Sequence, residues 1–271
     1  MGSFKTCHSR NTITRYYANE NRKNTKCAII YIHDLDSPID ANKQLSQYTQ
    51  VLEHITDTEI PSFEVLTFLA PDLPGHGQSN VSHFTIHKSM SVIRDLMLHR
   101  REEKFILIGV GIGADIALRL AYAHPTVIQG VFCISPVLDY VERCLWSHLD
   151  DQTKDITQQQ VEKSHITPIL KQASLHGVTT LIEPSYTLNV SFFEEGIKKD
   201  NQLISKDLQY IQCPVRMLHG RENKVTSWHT LKDQLGVIPD FDFRVILADE
   251  DLSRAIIPIR LVFSGLRDAI Q

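Results

Sequence analysis

The segment Phe105–Ala114, FILIGVGIGA, is an apolar strand that runs into the frame G-x-?-x-G and on into a helix from about Ile112. Where that frame reads G-x-S-x-G, a sharp strand-to-helix turn lifts a serine Oγ out of the sheet, ready to attack an acyl carbon. Gly109 and Gly113 hold the ends of the frame here, and its apex is Gly111, which has no side chain to attack with. An acyl-serine route is closed at this turn. A non-glycine residue at such an apex sits in a left-handed conformation that costs about 1–3 kcal/mol, whereas glycine adopts it freely. Gly111 is therefore expected to exchange catalysis for stability, and Gly111→Ser to lower stability modestly.

The other positions that would complete a catalytic unit are altered as well. IIYIHDLD at Ile29–Asp36 occupies the place of a strand followed by His-Gly, whose backbone N–H helps form an oxyanion hole. Asp34 stands where glycine is usual, and a carboxylate beside that hole repels developing negative charge. CPVRMLHGRENKV at Cys213–Val225 resembles the strand-and-turn that normally presents an acid, but the acid position is Asn223. Asparagine can hold an imidazole by a hydrogen bond yet offers no charge to stabilise an imidazolium. After the last strand, a histidine is usual in a phrase like D-H-R-L-S, and Asp249–Ser253 reads DEDLS with Glu250 in its place. Glu250 could serve as a general base if burial raised its pKa, but flanked by Asp249 and Asp251 it reads as a solvated acidic turn.

Replacements elsewhere are few. His76, in APDLPGHGQS, reads as a loop residue rather than a base, in a turn whose glycines permit positive φ. Ser135, Asp139, His33 and His219 fall near strand ends, with Asp139 where some hydrolases place an alternative acid, but no Ser or Cys occupies an elbow-like turn. His83 and His87 are spaced i, i+4 without an acidic third ligand nearby, so they read as the start of a surface helix and not as a metal site. No cofactor is called for.

These phrases make the chain resemble the α/β-hydrolase superfamily from about residue 12 to 271. Within it, PVLDYVERCLWSHL, CPVRMLHG, VTSWHT and LADEDLS look most like the abhydrolase-ten type of mitochondrial acyl-protein thioesterase and acyl-glucuronide esterase. That resemblance implies a Ser–Asp–His unit acting on esters or thioesters, and the chain departs from it at all three positions, as Gly111, Asn223 and Glu250. LIGVGIGA with YIHD is similar, more weakly, to the N-myc downstream-regulated proteins, non-catalytic members of the fold.

The elements that would position these residues alternate as in a parallel α/β sheet. Strands are expected at Thr12–Tyr17, Cys27–His33, Val65–Ala70, Phe105–Gly109, Ile128–Ile134, Val215–His219 and Phe243–Leu247. Helices are expected at Ala41–Ile55, Ile86–His99, Ile112–Ala123, Ser227–Leu235 and Arg254–Ile270. The alternation pauses after Pro136. The expected division is a basic leader at 1–11, a core at 12–136 and 206–271, and a mostly helical lid at 137–205. Such a lid roofs the C-terminal strand edge, making His33, Asp34, Ile112, Asp139 and Trp146 candidates for a ligand pocket.

Charge and cysteine usage bound the rest. The 271 residues carry a net charge of −4, which gives no case for nucleic-acid binding. No apolar run approaches the roughly 20 residues of a membrane span. Residues 1–26 hold six Lys/Arg against Glu20, a net +5, leaving about −9 for the remainder. That start reads as a solvated leader strand. It also suits a mitochondrial presequence, and MGSFKT fits the N-myristoylation pattern, with Gly2 as acceptor and Cys7 as a second acylation site supporting peripheral membrane attachment. Five scattered cysteines without CxxC point to a reducing, intracellular location, mitochondrial or cytoplasmic. The reading is a catalytically inactive scaffold that binds a protein partner or a small acyl-like ligand. The alternative is a serine-independent lyase, isomerase, cyclase or residual esterase using Glu250 or Asp34 as a carboxylate base.

Overall fold

A computed structural model describes residues 2–9, 12–19, 27–35, 67–80, 84–100, 102–142, 151, 190–198, 201–203, 205–223 and 225–247. Eight strands form one sheet: β1 (Ser3–Ser9), β2 (Thr12–Asn19), β3 (Cys27–Ile32), β4 (Thr67–Pro71), β5 (Lys104–Val110), β6 (Ile128–Ile134), β7 (Val215–Gly220) and β8 (Phe241–Ile246). Their order is β1-β2-β4-β3-β5-β6-β7-β8. Pairing is antiparallel for β1–β2 and β2–β4 and parallel from β4 to β8. This is the arrangement the α/β-hydrolase resemblance implies. All seven expected strands are present, with ends shifted by up to two residues.

The central strands explain themselves. In β3 and β5, every residue but the first is buried, as befits runs of Ile, Val, Leu and Phe covered on both faces. Each fully buried side chain of that size contributes about 1.5–3 kcal/mol relative to exposure. The strand not expected is β1. Its register with β2 runs from Ser3 opposite Ala18 to Ser9 opposite Thr12, so much of the supposed leader is an edge strand.

Helices α1 (Ile86–His99), α2 (Ile112–Ala123), α3 (Val190–Ile197), α4 (Ser205–Leu208) and α5 (Trp228–Leu235) lie between strands. Helix α1 buries Ile86, Ser89, Val92, Ile93, Leu96 and Met97, a stripe at helical spacing. It is capped by Thr85, whose hydroxyl accepts the Lys88 N–H at 3.1 Å. Helix α2 is buried over most of its surface and packs on β3, β5 and β6. It comes so close that a Cβ on Gly113 would lie within 3.0 Å of the carbonyl oxygens of Ile32 and His33. The expected helices at 41–55 and 254–270 lie outside the described residues.

One topological fact places the site. The chain leaves β3 for β4 on one side of it, then returns to form β5 on the other. Ligand crevices in open α/β sheets lie at such reversals, beyond the carboxyl ends of the strands. His33 and Asp34 follow β3, and Gly111 and Ile112 follow β5.

Candidate functional site

Gly111 caps α2 at φ 55° and ψ −119°, a backbone that a side-chain-bearing residue rarely adopts. It is pinned there by its own polar groups. Its N–H donates to Ile134 O at 3.0 Å, and its carbonyl accepts from Ala114 and Val137 at 3.2 and 3.1 Å. The space a side chain would take is filled. A Cβ built on Gly111 would overlap the Asp34 carboxyl group, with all three of its outer atoms inside 3.0 Å.

That carboxylate is held by amides from two segments. Asp34 Oδ1 accepts the Leu35 N–H at 2.8 Å and the Ile112 N–H at 3.1 Å. Helix α2 has no side-chain cap of its own at Gly111, and an anion at its first amide meets the positive end of the helix. Sequence reasoning placed Asp34 beside the hole. The structure places its oxygen on the amides of Leu35 and Ile112. An oxygen already accepting two N–H groups is poorly disposed to act as a base.

Two histidines brace this corner. His33 is fully buried, and its Nε2 accepts the Leu73 N–H at 3.1 Å while Nδ1 meets Asp34 O at 2.6 Å. An amide can donate only to an unprotonated nitrogen, so the ring proton sits on Nδ1 and the imidazole is neutral. Burial, assisted by the neighbouring His76 and opposed by the bond to Asp34 O, lowers its pKa to about 3. With both nitrogens bonded and the ring fully buried, His33 acts as a strut between the end of β3 and the loop after β4. His76 is a loop brace too: its ring nitrogens meet the carbonyls of Leu35 and Pro74.

The acid position is occupied by a turn former. Asn223 Oδ1 accepts the N–H groups of Val225 and Thr226 at 2.9 and 3.0 Å. His219, buried before it, donates from Nε2 to Thr226 O at 2.8 Å, and burial lowers its pKa against the opposing pull of that bond. Ser135, at φ 42°, continues the β6–β7 register by donating its N–H to Leu218 O at 2.9 Å. Neither Ser135 Oγ nor His219 Nδ1 has a hydrogen-bond partner among the described residues, so the two are not bonded to each other. Among the described residues, no serine hydroxyl is hydrogen-bonded to a histidine ring as an activated nucleophile would be.

Asp139, also at positive φ (51°), belongs to an ion-pair network that the sequence did not reveal. Arg119 donates from Nε to Asp115 Oδ1 at 2.7 Å, from Nη2 to Asp139 Oδ1 at 3.0 Å and from Nη1 to Asn201 O at 2.6 Å. Asp139 Oδ1 also accepts the Leu203 N–H at 2.8 Å. Burial acts to lower the Arg119 pKa, but the Asp115 and Asp139 carboxylates outweigh it and the net shift is upward. Glu195 on α3 accepts the N–H groups of Ile86 and His87 at 2.7 and 2.8 Å and also contacts His87 Nδ1. The acidic neighbour missing from the sequence environment of His87 thus arrives from 108 residues away, although no group of three metal-ligating side chains forms among the described residues. Between these groups lies a water-sized cavity of about 20 Å³, bordered by Ile112, Arg119, Asp139, Tyr140 and Phe192 among others. Ile112 and Asp139 therefore do meet at a cavity, and His33 and Asp34 are not part of its lining.

The remaining candidates separate. Cys7 is 3% exposed, with its thiol against Asp95 O and its pKa pushed up by burial and by Asp95. Gly2 lies against the Tyr17 ring at the start of β1. Trp146, Glu250 and His83 lie outside the described residues.

Comparison with known proteins agrees with the fold. The family model for serine aminopeptidase, S33 (Hydrolase_4) matches residues 45–248. The palmitoyl-protein thioesterase ABHD10, mitochondrial, of Bos taurus is 22% identical over 173 residues. That match takes in 64% of this chain and 52% of the relative, so the chain aligns to about half the length of that protein. Mouse alpha/beta hydrolase domain-containing protein 10 superposes with a TM-score of 0.71 at 19% identity, over 99% of this chain and 98% of that one. A hydrolase from Agrobacterium vitis gives 0.71 at 18% identity, over 100% and 99% of the two chains. Est1E from Butyrivibrio proteoclasticus, solved with ferulic acid, gives 0.71 at 13% identity, over 98% and 97%. With its sheet order, its strand-to-helix turn at Gly111 and the family match over most of its length, the chain belongs to the serine aminopeptidase S33 family and has the α/β-hydrolase fold.

Proposed function

We propose that this protein is a non-hydrolytic member of its family, kept as a binding or assembly subunit. One observation carries the reading: at the apex where the family's chemistry needs an attacking side chain there is a glycine, and the space is taken by the Asp34 carboxylate. Asn223 supports it, being committed to backbone amides of its own turn. Loss of a nucleophile leaves at most roughly 10³–10⁴-fold assistance from binding and an oxyanion hole, and Asp34 already sits on the donors of that hole. The name of the bovine relative supports a mitochondrial setting for that partnership. In this reading residues 137–205 serve partner contact rather than substrate entry.

The test is direct. Purified protein is expected to show no turnover of p-nitrophenyl esters or acyl thioesters above a heat-killed control, and no labelling by a fluorophosphonate probe. Native purification is expected to recover a stoichiometric protein partner. Turnover that a pocket substitution abolishes would overturn the reading.

A further inference from the structure

The two amides that hold Asp34, that of its neighbour Leu35 and that of Ile112, 78 residues from Asp34, converge on one oxygen. Two N–H donors aimed at a single oxygen, one of them at the first turn of a twelve-residue helix, form a site for a carboxylate or oxyanion. Here the occupant is the chain's own side chain. The occupant fits only because Gly111 has no Cβ, since any side chain there would collide with the Asp34 carboxyl group.

We propose that Asp34 is an internal anion that plugs an otherwise intact two-amide hole, closing it to carboxylate ligands, and that Gly111 is the residue that admits the plug. Asp34 and Gly111 are then a single device. The inference does not depend on the partner reading above: a protein that bound no partner could still carry the plug.

The device is read by a double-mutant cycle followed by a ligand probe, all in the full chain. Gly111→Ala adds a Cβ in a left-handed conformation, a cost present in every background. The collision is present only when a branched group stands at position 34. The melting-temperature loss caused by Gly111→Ala should therefore be large in the parent, equally large in Asp34→Asn, which keeps the shape, and clearly smaller in Asp34→Ala, which removes it. Equal losses in the parent and in Asp34→Ala would overturn the proposal, because independent sites add.

The second arm uses sodium formate, with sodium chloride at equal ionic strength as control, and amide resonances of ¹⁵N-leucine and ¹⁵N-isoleucine protein. Formate should shift the Leu35 and Ile112 amides in Asp34→Ala and leave them unmoved in the parent. Shifts of equal size in both proteins, or in neither, would show that Asp34 plugs nothing. Should Asp34→Ala fail to fold, Asp34→Asn keeps the question open to refutation. A neutral acceptor should move both amide resonances upfield of their parent positions, and unchanged resonances would sink the assignment.

Discussion

Acid should weaken this fold through His33, and the size of the effect follows from its bonds. The ring is fully buried, and protonating it would set two N–H groups against each other at Leu73. Its pKa falls from 6.5 in an unfolded chain to about 3 in the fold. For a histidine depressed in this way, the unfolded state takes up the proton first. Stability is therefore intact above about pH 6.5 and is lost as pH falls towards 3. The slope in that window is about 1.4 kcal/mol per pH unit, so from about pH 7.5 to about pH 5 this one residue should remove roughly 2 kcal/mol. Urea unfolding of the parent and of His33→Gln at both pH values measures it. His33→Gln is expected to be less stable at neutral pH, having lost shaped bonds, but to have the shallower pH profile by that amount. His219 titrates in the same direction and contributes equally to both proteins, so the difference isolates His33. Parallel profiles for the two proteins would refute the reasoning.

Two further outcomes follow from the ion pairs and the packing. Arg119→Met should destabilise by about 3–5 kcal/mol, because it leaves Asp115 and Asp139 buried without their cation; at roughly 2–4 °C per kcal/mol the loss is plain in a thermal melt. Gly113→Ala should cost about 1–3 kcal/mol or more by forcing α2 away from the Ile32 and His33 carbonyls, measured by the same melt.

Much of the architecture was legible because the central strands carry unbroken apolar runs and the helices carry a stripe of spacing 3.6. Strand β1 was not, and its sequence shows why. SFKTCHS has Phe4 and Cys7 on opposite faces, so it shows no alternation, and it is held by pairing to β2 and by Cys7 packing beneath α1. The emptied apex at Gly111 could be read directly, since a missing side chain needs no coordinates. The Asp34 carboxylate could be flagged as misplaced, but its seat on the Ile112 amide is a contact across 78 residues. The bonding of His33 was hidden for a related reason: position at a strand end does not reveal that both ring nitrogens are already bonded. Arg119 and Asp115 form an i, i+4 pair that sequence could have suggested, yet only the fold brings Asp139, Asn201 and Leu203 to them.

Glu195 ties the stretch preceding β7 to the opening turn of α1, while Arg119 and Asp139 grip the same stretch a few residues on. Both fastenings end on backbone groups, so neither side can be released without stranding the other's hydrogen bonds. Lifting that stretch would therefore fray the beginning of α1 at the same moment. A binding protein that seized it from outside would be felt at the opening turn of α1.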